Sequence, residues 1–528
     1  MVKSKDSILK DYQNNAEIQQ SLIINFKKTL NNISYYRLGM LVMEIIFVAI
    51  IIKFGYYWPV GVLMGMPVVG FMALLKRQVA VQNKLNYVEK LLFVFQNEIE
   101  LITTGHQKYD NGKAFADESH PYASDLDIYG ASSLYAFINR SNTVEGMQLL
   151  ADSLGGPAKK TDITDRQEAI AELTEHIEKT FHFRAGLQNH KPQQLEVIRH
   201  KMEHQMPDQL KFTRNKFIRF YTPVAPVFSI GLLILGCIYG GVMWSFLVVC
   251  LLFNGALTFF YSKAIMGVSN VFSGSSTLFN AISGTVKWTE ETKWKSSYIQ
   301  NFFAGGDNTQ DVLSKKIKEL SGLINSFDAG LNMFIGPFLK AFLLWDFKYA
   351  IRLNNWYLNS SAQLIAALHT ISQFEEIISF ATLAHNEPEW TFPVISDTFC
   401  LSVKGLGHPL IREDKRIIND YEFEAQPTAD IITGSNMAGK STFLRTTGIN
   451  MVLAFSGAPV CAAEMRSSIF ELLTYMRIKD SLNDQTSTFK AELNRLKMIL
   501  EGVRTLQHPL VLIDEMLRGT NSRDKYLG

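Results

Sequence analysis

The sequence predicts a multidomain protein of α plus α/β class: transmembrane helical hairpins, an all-α core and lever, and a C-terminal α/β unit with a mainly parallel sheet. Three observations carry this. Between Arg219 and Lys263 lie 43 positions without a charged residue, most of them apolar, about twice the roughly 20 residues a helix needs to cross a bilayer. Residues 77–220 and 263–390 repeat apolar side chains at helical spacing, as in Leu85, Val88, Leu92 and Phe95. Beyond residue 396 the pattern changes to short apolar runs such as Ile431-Ile432 and Leu510-Val511-Leu512-Ile513, separated by glycine turns and helical stretches.

A chain of 528 residues is too long for one ordinary core. The pattern divides it into a polar segment 1–36, a hydrophobic hairpin 37–76, a helical core 77–220, a second hairpin 221–262, a helical lever 263–395 and the α/β unit 396–528. With 52 Lys and Arg against 50 Asp and Glu the net charge is +2, so no basic field covers the whole surface and any nucleic-acid contact must be local. Hydrophobic residues make up 47% and charged residues 19%, which places the chain on the apolar side of soluble composition. Cys237, Cys250, Cys400 and Cys461 are scattered without metal-ligand or disulfide spacing. Residues 1–36 are polar and carry no short apolar segment before a cleavage site, so no signal peptide is expected.

In the first hairpin Leu38 to Ile52 is apolar except for Glu44, and Phe54 to Leu75 is uncharged but interrupted by Pro59 and Pro67. Lys27, Lys28 and Arg37 precede it and Lys76 and Arg77 follow it. In the second, Pro223 and Pro226 mark the start, Gly240-Gly241 the turn, and Phe259, Phe260 and Tyr261 the exit interface, with Lys211, Arg214, Lys216 and Arg219 ahead and Lys263 behind. Flanking cations of this kind stay on the cytoplasmic side. Both hairpins therefore begin and end in the cytoplasm, giving a multi-pass membrane protein with a cytoplasmic C-terminal unit. Within the core, Asp162-Ile163-Thr164-Asp165 leads into a periodic run through Ala169, Ile170 and Leu173, its Asp and Thr residues supplying helix caps.

The sharpest motif is Gly434-Ser435-Asn436-Met437-Ala438-Gly439-Lys440-Ser441, which fits GxxxxGK[ST] after an apolar run read as a strand and before a helix. Such a loop curls backbone N–H groups around phosphate oxygens, with the helix N-terminus adding its positive end. Lys440 reaches the β- and γ-phosphates and the Ser441 hydroxyl ligates Mg²⁺. Downstream, the apolar run 510–513 ends in Asp514 and Glu515. Asp514 would hold the Mg²⁺ and Glu515 would act as general base on the attacking water. The pair of motifs predicts a P-loop ATPase with ATP and Mg²⁺ as cofactors.

Thr433 to Thr442, Ser487-Thr488-Phe489 with Glu492, and Asp514-Glu515 with Arg518-Gly519-Thr520 together resemble the MutS family of DNA mismatch-repair ATPases. The resemblance extends to Gly407-His408-Pro409 and Asn419-Asp420, similar to the family's segment ahead of the ATPase, and more weakly to Ser133 through Leu173, similar to its helical core. It implies phosphate binding at Gly434 to Thr442, metal at Ser441 and Asp514, and catalysis at Glu515. It also implies a homodimer whose two sites are completed across the interface by Gly519, Thr520 and Asn521, with DNA as a further partner.

Four departures from the family stand out. The family's mismatch-reading and connector domains do not fit into residues 1–36. The second hairpin falls where the family inserts its DNA clamp. Leu517 and Lys525 stand where the family usually has glycines, and Gly528 follows soon after the second acid motif, so the ATPase unit is expected to be incomplete.

The leading reading is a membrane-anchored MutS-like ATPase that binds mismatched or other DNA in a repair or recombination process. The alternative is an ATP-driven conformational or scaffolding module acting on a membrane protein without DNA. Third comes a transporter subunit, although the interval between the two motifs carries Ser487-Thr488-Phe489 where transporter ATPases place an LSGGQ-like loop.

Overall fold

The structure, a computed structural model, describes residues 4–515 apart from 56–57, 189, 273, 304–312, 333–334, 424–428, 436–438 and 477–487. It is mostly helical with two small sheets, and it divides into two units.

The first unit comprises residues 1–108, 177–189 and 385–388. Its main elements are the helices Lys5–Phe54 and Trp58–Thr104, with the shorter Ile177–Leu187. Ser4 caps the first helix by accepting from the Ser7 amide, and Asp6 lies in its first turn, both favourable at a positive helix end. The helix then runs through residue 36 without a break. Residues 4–36 are therefore not a separate polar segment: Ile8 and Tyr12 sit in a core with Leu91, Val94, Phe95, Phe181 and Ala185. Below this core Arg184 and Glu98 form a fully buried pair at 2.6 Å, and Asn386 donates to the other Glu98 oxygen at 2.8 Å. The stretch read as a first membrane hairpin is thus the far end of two long helices, lined by exposed apolar residues such as Ile45, Ile52 and Val69.

The second unit holds the remaining residues. Here Lys216–Tyr239 and Val242–Phe260 are the two helices, among the described residues, long and apolar enough to cross a membrane. Asn215 caps the first, its side chain accepting from the Phe217 amide at 2.9 Å. Pro223 and Pro226 consequently lie inside the helix instead of opening it. Gly240 and Gly241 make the turn with φ of +64° and +49°, a conformation that side chains disfavour. Leu232, Leu247 and Cys250 pack between the helices, while Val227, Ile238, Val249 and Leu252 point outward.

In the helical core, Ser133 and Thr143 cap the helices Leu134–Ile138 and Val144–Leu154 through their hydroxyls. The helix read from Asp162 onward starts earlier, as Lys160–Glu175, with no side-chain cap. Asp162 and Thr164 therefore lie within its first turns, and burial of Ile163, Ala169, Ile170 and Leu173 holds it in place. The lever helix Trp345–Asn386 carries two buried acids. Glu375 accepts from the Asn142 and Thr143 amides at 2.7 and 3.1 Å, and Glu376 pairs with Arg166 and accepts from Ser153. Burial raises the pKa of both carboxyls.

The α/β region contains strands β1 Val394–Ser396, β2 Leu401–Leu406, β3 Asn419–Phe423, β4 Glu464–Ser468, β5 Glu471–Tyr475 and β6 Pro509–Ile513. The larger sheet has the order β1-β4-β2-β3 and is mixed: β1 and β4 are parallel, while β2 runs antiparallel to both β3 and β4. The smaller sheet is the parallel pair β5 and β6, from Glu471 opposite Pro509 to Tyr475 opposite Ile513. A mainly parallel sheet is therefore corrected to small mixed sheets. The run at Ile431-Ile432 is likewise not a strand; residues 429–435 have no regular structure and Ile431 is 86% exposed. A strand exists through its neighbours' hydrogen bonds, and among the described residues no strand lies beside this run.

Candidate functional site

The glycine-rich segment leads into the helix Lys440–Phe455, with Gly439 at its cap in the left-handed region, φ +87°. Lys440 turns back along the segment and donates from Nζ to the Gly434 carbonyl at 2.8 Å. The Phe443 amide donates to the Gly439 carbonyl at 2.8 Å, closing the first helical turn. Ser441 and Thr442 stand in that turn, where amides without helical partners and the helix dipole favour an anion. Gly434 and Ser435 are placed; Asn436, Met437 and Ala438 lie outside the described residues.

The acid pair sits at the end of β6. The Asp514 amide donates to the Tyr475 carbonyl at 2.8 Å, continuing the β5–β6 pairing by one residue. Glu515 follows with φ +46°, a backbone conformation that costs a side chain about 1 kcal/mol or more. The loop helix and β6 pack together at Gly448, where an added Cβ would come 3.1 Å from a Leu512 methyl and 2.9 Å from Leu126. Loop and acids are thus mounted on a helix and a strand in direct contact. Gly519, Thr520 and Asn521 lie outside the described residues.

Around the loop the structure adds residues that motif reading passed over. Tyr421 on β3 sets its ring edge-on to Phe443 at 5.5 Å and donates its hydroxyl to Asp430 at 2.8 Å, which ties the sheet to the segment entering the loop. Its phenol is pushed up, first by burial and then by Asp430. Arg445, one turn further along the helix, pairs with Asp127 at 3.1 Å. Arg495 donates to the carbonyls of His120, Pro121 and Thr474 at 2.7 to 2.9 Å, joining the helix Thr488–Thr505 to β5 and the helical core. Only Asn419-Asp420, next to Tyr421, carried a sequence signal; an arginine bound to backbone carbonyls leaves none.

His408 is placed near this group. Burial first, then the positive charge of Arg445, holds its imidazole down to about 4, and its Nδ1 accepts from the Leu410 amide at 3.2 Å. The folded protein thus keeps His408 neutral where the unfolded chain would protonate it near its ordinary value. The associated stability is complete above about pH 6.5 and is lost as pH falls toward about 4, up to about 3 kcal/mol. Denaturant unfolding at pH 7 and pH 4.5 should show this loss, and His408→Gln should reduce the difference; an unchanged pH dependence would remove His408 from the account.

The arrangement is a helix that follows a glycine-rich segment and packs against a strand ending in two acids. Residues 430–526 match the family MutS domain V, and this part of the chain carries the similarity to MutS proteins. Similar curated proteins are each named DNA mismatch repair protein MutS. That of Shouchella clausii is 33% identical over 170 residues, 31% of this chain and 19% of its own. The Clostridioides difficile protein is 32% identical over 161 residues, 29% of this chain and 17% of its own. The Macrococcus caseolyticus protein is 28% identical over 223 residues, 41% of this chain and 25% of its own. The chain thus spans about a quarter or less of the length of these relatives.

Proposed function

We propose that the chain is a membrane-anchored ATPase of the MutS family that acts on DNA. The observation that carries the ATPase reading is the turned-back Lys440, held at the mouth of the loop by the Gly434 carbonyl, at the N-terminus of a helix opened by a left-handed glycine. Phosphate oxygens replace that carbonyl well, since an ammonium group is attracted more strongly to an anionic acceptor than to a neutral one. In this reading Gly434 through Thr442 bind ATP, Ser441 and Asp514 hold Mg²⁺, and Glu515 orients and deprotonates water. A second copy supplies Gly519, Thr520 and Asn521.

The membrane part rests on Lys216–Tyr239 and Val242–Phe260, whose most apolar windows are only 28% and 17% buried. A core helix hides most of its apolar face; these do not. With cations flanking both ends, the ATPase lies in the cytoplasm and the Gly240 turn outside. An impermeant thiol reagent on intact cells should label Gly240→Cys and spare Ser297→Cys; the opposite pattern would overturn the orientation.

DNA enters through the MutS domain. If the chain acts on DNA, immobilised duplex retains it and releases it with a steep salt dependence, more strongly where the duplex carries a mismatch. The second reading, an ATP-driven scaffold for a membrane protein, is favoured by the hairpin and the near-neutral charge; hydrolysis without DNA retention at low salt would select it.

A further inference from the structure

The short helix Gly336–Leu343, which precedes the lever, has an unexpected neighbour. Asn254, buried in Val242–Phe260, donates its side-chain amide to the Ala341 carbonyl at 2.6 Å, while its oxygen accepts from Tyr221 at 2.8 Å. Phe342 packs against the Leu232, Leu247 and Cys250 cluster inside the hairpin. Cys250 stands ten residues before Phe260, about 15 Å of helix or half the hydrocarbon thickness of a bilayer. A helix that reaches this cluster from the cytoplasmic side must therefore lie well within the apolar layer.

The rest of the segment fits that depth. Ile335 and Phe338 are 52% and 57% exposed, and Phe338 stacks on Phe342 with ring centroids 4.4 Å apart, one turn before the residue that enters the hairpin cluster. The one charge, Lys340, is paired with Asp346 at 3.2 Å, which is how ions persist within apolar surroundings. Gly336 permits the sharp approach, because an added Cβ would meet the Gly330 carbonyl at 2.4 Å. The return is marked by aromatics beside cations, with Lys348 and Arg352 over Trp345 and Tyr349, the pairing found at membrane–water boundaries.

We infer that Gly336–Leu343 is a re-entrant membrane helix, held to the hairpin by the Asn254–Ala341 bond, and that the exposed side chains of Phe338 and of Ile335 just before it contact lipid acyl chains. This rests on the membrane reading of the hairpin. It gives that reading a consequence: the lever helix, which begins at Trp345, starts from an element seated in the bilayer.

Photo-cross-linking of the full chain in phosphatidylcholine vesicles tests it. The probe p-benzoylphenylalanine replaces Phe338, Ile335, Phe228 on the exposed face of the hairpin, or Leu500 on the exposed face of Thr488–Thr505. Phe338 and Ile335 are expected to label lipid as strongly as Phe228, roughly tenfold above Leu500, because acyl chains surround exposed side chains at that depth. Lipid labelling at Phe228 but at neither Phe338 nor Ile335, or their cross-linking to a second copy of the chain, would overturn the inference while leaving the hairpin in the membrane. Labelling at none of the four would remove the membrane reading itself.

Discussion

Lys440→Ala is expected to weaken ATP binding by about 10- to 100-fold, the value of a charge-assisted hydrogen bond or two. Glu515→Gln should leave binding near that of the parent and lower turnover by about 10²-fold or more, the scale of general-base loss. In the proposed reading the two residues act at different steps, and they are placed on different elements. Lys440 leaves the first turn of its helix and reaches the Gly434 carbonyl, where its charge would meet phosphate whether or not a reaction follows. Glu515 follows the end of β6 in a left-handed conformation, and its glutamine counterpart keeps shape while losing basicity. Fluorescent-nucleotide titration and steady-state phosphate release on both variants separate the roles. Equal loss of nucleotide affinity in the two would show that the assignment is wrong.

Arg184→Met should destabilise the first unit by about 3–5 kcal/mol, the usual consequence of leaving one member of a buried ion pair alone. Arg184 and Glu98 have side-chain exposures of 1% and 0%. Glu98 is also met by Asn386 and Asn97 at 2.8 and 3.3 Å, so the carboxylate would keep these amide donors while losing the arginine. Adding Glu98→Gln removes the charge and should recover part of the loss. Chemical denaturation of the full chain, followed through the helical signal, measures both. A cost below about 1 kcal/mol for Arg184→Met would mean the pair does not hold these helices.

Much of the architecture was legible in local chemistry. The hairpin turn at Gly240-Gly241 appears where two glycines interrupt an uncharged run, because only that dipeptide frees the backbone there. Leu85, Val88 and Phe95 are buried on one helix face, as a repeat of three and four residues requires. Glycine at 439 and the first helical turn at Lys440 are likewise where the motif places them. Three expectations failed for one reason, since in each the deciding partner lies far away in sequence. Residues 4–36 look polar in isolation, yet Ile8 and Tyr12 find Phe95 and Phe181. Ile431-Ile432 has strand composition but, among the described residues, no strand beside it. β2 and β4 pair antiparallel across about 60 residues.

Near neighbours along the chain account for the apolar hairpin and its turn, the helix periods, and the order of glycines, lysine and acids. A dipeptide's φ, a run's transfer free energy and a motif's donor spacing are local quantities. The tertiary structure alone decided what depends on distant partners. It set the mixed sheet order, the burial of Arg184 against Glu98, the neutral His408 beside Arg445, and the seating of Gly336–Leu343 against the hairpin. Each is a balance between desolvation and a specific partner, and that partner comes within reach only once the chain has folded.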